Sequence, residues 1–159
     1  MKRGPIIAVF ISIGLLVSLV VLPISHKPTE EVIIESLDQK IERAINLVTS
    51  SPSPMEGIML LRQVLEEDPK NIKALSALGL FSIRSNQLEN AITRFQQIVE
   101  IDSQNYLALE KLVELYSTAK DTLNWNQSLQ NLYQVETDDE KRKRIENTLK
   151  VLEQEIVKS

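Results

Sequence analysis

Residues 72–105 read IKALSALGLFSIRSNQLENAITRFQQIVEIDSQN, and their spacing decides the fold. Leu75, Leu78 and Gly79 stand at i, i+3 and i+4, on one face of a helix. Ala91, Phe95 and Ile98 stand four and three apart and mark a second helix. The stretch then recurs on both sides. Shifted by 34 residues, Leu65-Glu66-Glu67-Asp68-Pro69-Lys70-Asn71 falls over Val99-Glu100-Ile101-Asp102-Ser103-Gln104-Asn105. Three units follow: 38–71, 72–105 and 106–139. Their fourth positions are Ile41, Leu75 and Leu109, and their seventh are Ala44, Leu78 and Leu112. The twentieth are Gly57, Ala91 and Trp125, the twenty-fourth Leu61, Phe95 and Leu129, and the twenty-seventh Val64, Ile98 and Leu132. A self-match of this period is the mark of a repeat architecture, in which each unit buries its apolar face on its neighbours.

The 34-residue phase, with Ala44, Leu78-Gly79, Ala91, Phe95, Leu112 and Leu129 at the recurring positions, resembles the tetratricopeptide repeat (TPR), a helix-turn-helix unit. The resemblance implies an all-α fold of about three helix pairs stacked as a short right-handed solenoid. It also implies that small residues at positions eight and twenty let paired helices approach. Two departures stand out: Trp125 fills the small position of the third unit, so that unit must pack differently or splay, and Ser103 replaces the usual closing Pro. Pro54 is placed to begin a helix, and Pro69 to follow the end of one. Ser36-Leu37-Asp38-Gln39 fits a capping box ahead of the first unit. Beyond Asp139, a helix over about 140–157 carries Ile145, Leu149, Leu152 and Ile156 on one face. A solenoid exposes the apolar face of its last unit, and this helix is expected to cap it over 140–159.

Working back from the repeats, residues 23–37 form a linker that runs into the first helix, with Val32-Ile33-Ile34 too apolar for a free tether. Before it, residues 5–22 read PIIAVFISIGLLVSLVVL without a charge, behind a short basic N-terminus, 1–4, with Lys2 and Arg3. A membrane-spanning helix needs about 20 apolar residues. The run is expected to be a retained signal anchor. A cleaved signal is the competing reading, and Pro23-Ile24-Ser25 offers no small-x-small pair for cleavage. The basic flank places the N-terminus in the cytoplasm and the repeats outside it, on the periplasmic face of a bacterial inner membrane.

Composition narrows the chemistry. The chain has 159 residues, 18 Lys+Arg against 22 Asp+Glu, one His and no Cys. That acidic balance speaks against nucleic acid as a partner, because phosphate contacts need clustered cations. Without cysteine there is no lipidation site, thiolate metal site or Cys nucleophile. His26 sits alone in the linker with no partner in view for catalysis. No phosphate loop, zinc signature or nucleophile elbow is present, so neither an enzymatic role nor a cofactor or metal is expected. Lys141-Arg142-Lys143-Arg144 is a basic run, but Asp138, Asp139 and Glu140 precede it and cancel most of its field. Asn126-Gln127-Ser128 matches a glycosylation acceptor.

The TPR resemblance also implies a binding face. Positions two, five, nine and thirteen of each first helix line the concave side. With position twelve they give Gln39, Glu42, Asn46, Thr49 and Ser50, then Lys73, Ser76, Leu80, Ile83 and Arg84, then Leu107, Glu110, Glu114, Ser117 and Thr118; the candidate groove residues among them are Gln39, Glu42, Asn46, Lys73, Ser76, Leu80, Arg84, Leu107, Glu110 and Glu114. Some relatives hold the C-terminal carboxylate of a chaperone in a Lys/Asn/Arg clamp. Here Asn46 matches, but Glu42, Ala77 and Leu107 replace clamp residues, and a glutamate would repel the carboxylate. The expectation is a membrane-tethered scaffold that binds a protein or peptide in envelope assembly or quality control, as in translocon or cytochrome-maturation machines. The alternative is a self-associating structural protein of the membrane.

Overall fold

The computed structural model describes residues 35–50 and 54–158, with side chains to residue 154. The apolar run 5–22, His26 and the linker up to residue 34 lie outside the described residues. Within them no helix is long and apolar enough to cross a membrane. Seven helices follow in order: α1 Leu37–Ser50, α2 Met55–Glu67, α3 Ile72–Arg84, α4 Leu88–Ile101, α5 Tyr106–Ala119, α6 Thr122–Val135 and α7 Asp139–Lys158.

The helix starts follow from their caps. Ser36 N–H donates to Gln39 Oε1 at 3.0 Å and Gln39 N–H donates back to Ser36 Oγ at 3.3 Å, a reciprocal capping box that opens α1. Pro54 stands at the N-cap of α2. Asn71 and Asn105, 34 residues apart, cap α3 and α5, each accepting from the N–H of the third residue on at 3.1 Å. Each cap is held by the carboxylate three residues before it: Asn71 Nδ2 donates to Asp68, and Asn105 Nδ2 to Asp102, both at 3.1 Å. The third junction departs from this pattern. Asp138 Oδ1 accepts from Lys141 N–H at 2.9 Å, so the cap of α7 comes one residue earlier in the 34-residue phase. The inner turns keep the phase as well: Asn86 and Lys120 are both left-handed, at φ 56° and 58°.

Each helix packs on the one before it, and α1 also touches α3. The core is therefore a chain of three clusters. The first joins Ile41, Ala44 and Val48 of α1 to Leu61 and Val64 of α2 and Leu78 of α3. The second gathers Leu75, Ala91, Phe95, Ile98, Ala108 and Leu112. The third sets Leu109, Leu129 and Leu132 against Ile145 and Leu152 of α7. The residues that carry the repeat likeness are buried: Ala44, Leu78, Gly79, Ala91, Phe95, Leu112 and Leu129.

Positions eight and twenty achieve close packing by different means. A Cβ on Gly57 would lie 2.5 Å from the Ala44 carbonyl oxygen, so α2 touches the backbone of α1. A Cβ on Gly79 would meet the Phe95 ring at 2.9 Å, so this glycine makes room for a side chain. In the third unit Val113 stands where Gly79 does and the smaller Leu129 replaces Phe95. Trp125 stands at the twentieth position of its unit, on α6. It is half-buried and packs against both the second and third clusters. Its Nε1 is buried and has no hydrogen-bond partner among the described residues.

α7 covers the last pair. Ile145 and Leu152 are buried and Leu149 is half-buried, while the Ile156 side chain lies outside the described residues. The basic run anchors this helix. Lys141 Nζ sits 5.6 Å from the Tyr106 ring centroid and Arg142 lies 4.6 Å over Tyr133. Glu136, only 5% exposed, accepts from Tyr106 Oη at 2.6 Å and from Asp138 N–H at 2.8 Å.

Candidate functional site

The first helix of each pair presents one side to solvent, and along α3 that side forms a groove. α3 carries Ile72, Lys73, Ser76, Ala77, Leu80, Phe81, Ile83 and Arg84 into it. Its other wall is Ile45, Val48 and Thr49 of α1, and Lys111 of α5 closes one side. The volume is about 540 Å³. α3 has 13 residues, so the groove extends along about 18 Å of helix. The apolar floor is not sealed: Leu80 is 40% and Ile83 36% exposed. These residues face outward because the opposite stripe of α3, Ala74, Leu75 and Leu78, is buried in the core.

The lining is charged in one sense only. Lys73, Arg84 and Lys111 border the groove, and among the described residues no carboxylate lines it. Arg84 is fixed in place: its Nη2 donates to the Val48 carbonyl at 2.6 Å near the end of α1, and its guanidinium lies 5.9 Å from the Phe81 ring centroid. Lys73 is held more loosely, and Lys111 is paired at the edge of the groove. Lys73 Nζ is 3.5 Å from Asp38, with both side chains mostly exposed. Lys111 Nζ donates to Glu114 at 2.8 Å, and that carboxylate lies outside the groove.

The ten expected binding residues divide into three groups. Lys73, Ser76, Leu80 and Arg84 come together in the groove. Gln39, Glu42 and Asn46 line a separate, shallow face of α1 with Arg43, Leu47 and Ser50. Leu107, Glu110 and Glu114 line neither. Leu107 is 40% exposed, and Glu114 is occupied by Lys111. Sequence reasoning missed Ile45, Val48, Ile72, Phe81 and Lys111. Ile45 and Val48 fall on positions eight and eleven, which serve the stripe between paired helices. Lys111 is adjacent to Glu110, so the phase alone could have flagged it.

Comparison with known proteins bears on the fold. No family model matches the chain, and no curated protein matches it in sequence. A solved structure of a mutant of MamA, a TPR-like protein, superposes with a TM-score of 0.58 over 76% of this chain and 68% of that one, at 16% identity. The fold is TPR-like. At that identity the likeness speaks of fold alone, so the TPR-like chain's binding chemistry must be read from its own groove.

Two other sequence features resolve within this TPR-like frame. Asn126-Gln127-Ser128 lies inside α6 with Ser128 buried, and Asn126 Oδ1 accepts from Gln130 Nε2 at 2.9 Å. A regular helix with a buried hydroxyl does not present that triplet as a glycan acceptor. Among the described residues, no three His, Cys, Asp or Glu side chains gather as a metal site.

Proposed function

We propose that the chain is a membrane-tethered TPR-like scaffold that holds a segment of another protein in the groove along α3. One observation carries the reading: a partly exposed apolar strip, Leu80, Ile83 and their neighbours, that no other described element covers. A concave apolar floor rimmed by a few polar side chains is the ordinary form of a binding site. The tether is residues 5–22, supported by their length and lack of charge. The basic Lys2 and Arg3 support a repeat domain outside the cytoplasm, where envelope assembly or quality control is the matching task. Tethering raises the local concentration of a membrane-bound partner, so modest affinity suffices.

A photo-crosslinking residue at Leu80, in the full-length chain in its own cells, tests the groove. It should yield an adduct with another protein, while the same residue at Gln130, on the exposed side of α6, should not. Equal labelling from both positions would sink the groove as the binding site. Topology is tested separately: Gln130→Cys supplies a single thiol in a chain without cysteine. An impermeant maleimide should reach it before the inner membrane is broken; protection until lysis would reverse the orientation.

A further inference from the structure

We infer that the groove takes an internal, acidic and amphipathic segment of a partner protein, with large apolar side chains on Leu80, Phe81 and Ile83 and carboxylates over Lys73, Arg84 and Lys111. This rests on the groove being the binding site, as proposed above. Charge complementarity selects the occupant. The chain has more acids than bases, yet among the described residues this groove is lined by three cations and no carboxylate. The present partners of two of these cations are replaceable. Lys73–Asp38 is a surface pair, and such pairs contribute little, while in Lys111–Glu114 the carboxylate is the more exposed member and free to turn away. A partner's carboxylates would meet the same ammonium groups in a less hydrated setting, where the attraction is stronger.

The surroundings fix where those carboxylates can lie. Glu42 lines the neighbouring face of α1, and Glu110 and Glu114 lie on α5. Acidic residues in the partner are therefore repelled beyond the groove and held over its own cations, which sets register as well as affinity. The segment need not be a chain end. Glu42, Ala77 and Leu107 stand where a carboxylate clamp would need donors, whereas the groove extends along about 18 Å of α3, enough for about five extended residues or three helical turns.

The test is selection from a random 15-residue peptide library fused to the N-terminus of a phage coat protein, so that no peptide has a free C-terminus. The bait is the full-length chain in detergent micelles. Enriched peptides should combine Asp or Glu with large apolar residues. Synthetic copies should bind equally well as the acid or the C-terminal amide. Their affinity should fall about tenfold in the double variant Lys73→Glu/Lys111→Glu and decline with added salt. Leu80→Asp should abolish binding. Enriched peptides that are neutral or basic, or that ignore the double charge reversal, would overturn the acidic assignment. If Leu80→Asp still abolished their binding, the groove itself would stand. Peptides indifferent to Leu80→Asp, or no enrichment at all, would overturn the groove reading with it. A dimer in sedimentation that Leu80→Asp dissolves would put a second copy in the groove and overturn the partner segment.

Discussion

Two helical glycines hold neighbouring elements together by different contacts, and the difference is measurable. An added methyl at Gly57 would press on the Ala44 carbonyl, and backbone cannot yield without moving α1. Gly57→Ala is expected to cost about 2–4 kcal/mol in urea unfolding, despite the better helix propensity of alanine. At Gly79 the obstacle is a ring that can shift by a few tenths of an ångström. Gly79→Ala should cost about 1 kcal/mol or less. Adding Phe95→Leu should cost less than Phe95→Leu does in the parent chain, since the third unit already pairs Val113 with Leu129 at those positions. Lys120 offers a gain. It is left-handed at φ 58°, a conformation unfavourable for a Cβ-bearing residue. Lys120→Gly should raise stability by about 0.5–1 kcal/mol, the relief of strain outweighing the extra freedom of the unfolded chain. A loss of stability would mean that the turn relaxes in solution.

At the scale of elements, α7 is attached differently from the others. Its exposed residues are dense in charge, and three apolar side chains, Ile145, Leu149 and Leu152, face the third cluster. Its first turn is fastened by Glu136 with Tyr106 and Lys141. The hydroxyl of Tyr106 first, and the N–H of Asp138 next, hold the Glu136 carboxyl below its ordinary pKa. A carboxylate lowered in the folded state gives stability that is full above its unfolded pKa, about 4.3, and lost as pH falls through the folded value. The protection of α7, measured against the intrinsic exchange rate at each pH, should therefore fall on acidification ahead of that of α3 and α4. Glu136→Gln should make α7 exchange faster at neutral pH and flatten its acid response. If α7 protection follows α3 and α4 at every pH, the latch does not control its docking.

For the whole molecule, three clusters in series mean that stability passes from neighbour to neighbour. The position of a lesion should then decide its reach. Leu132→Ala, in the last cluster, should lower protection in α6 and α7 and leave α1 and α2 protected. Phe95→Ala removes a fully buried ring from the middle cluster and should cost about 3–5 kcal/mol. It should also expose both flanking pairs to exchange. Uniform loss of protection in the two variants would show a single cooperative unit instead. The groove belongs to this scale too, since α1, α3 and α5 each supply part of its wall.

The sequence alone determined the helices, their pairing period and most of the core. Burial on a helix follows from local spacing, and Ile41, Leu75 and Leu109 are buried because a 34-residue phase returns them to the same place. The capping box at Ser36 and the opening of α2 at Pro54 were legible for the same reason, since caps act within a few residues. Trp125 was legible only as a misfit, because its accommodation depends on two clusters built from other helices. The anchor remains a reading of residues 5–22 by themselves. The lining of the groove was half legible. Repeat positions pointed to Lys73, Ser76, Leu80 and Arg84, but not to Ile45, Val48 and Phe81, whose spacing is that of core. Nor did they show that Gln39, Glu42 and Asn46 line a different face. Only the tertiary structure decided that, because a groove between helices depends on how far α1 and α5 stand from α3, and no local spacing encodes that distance.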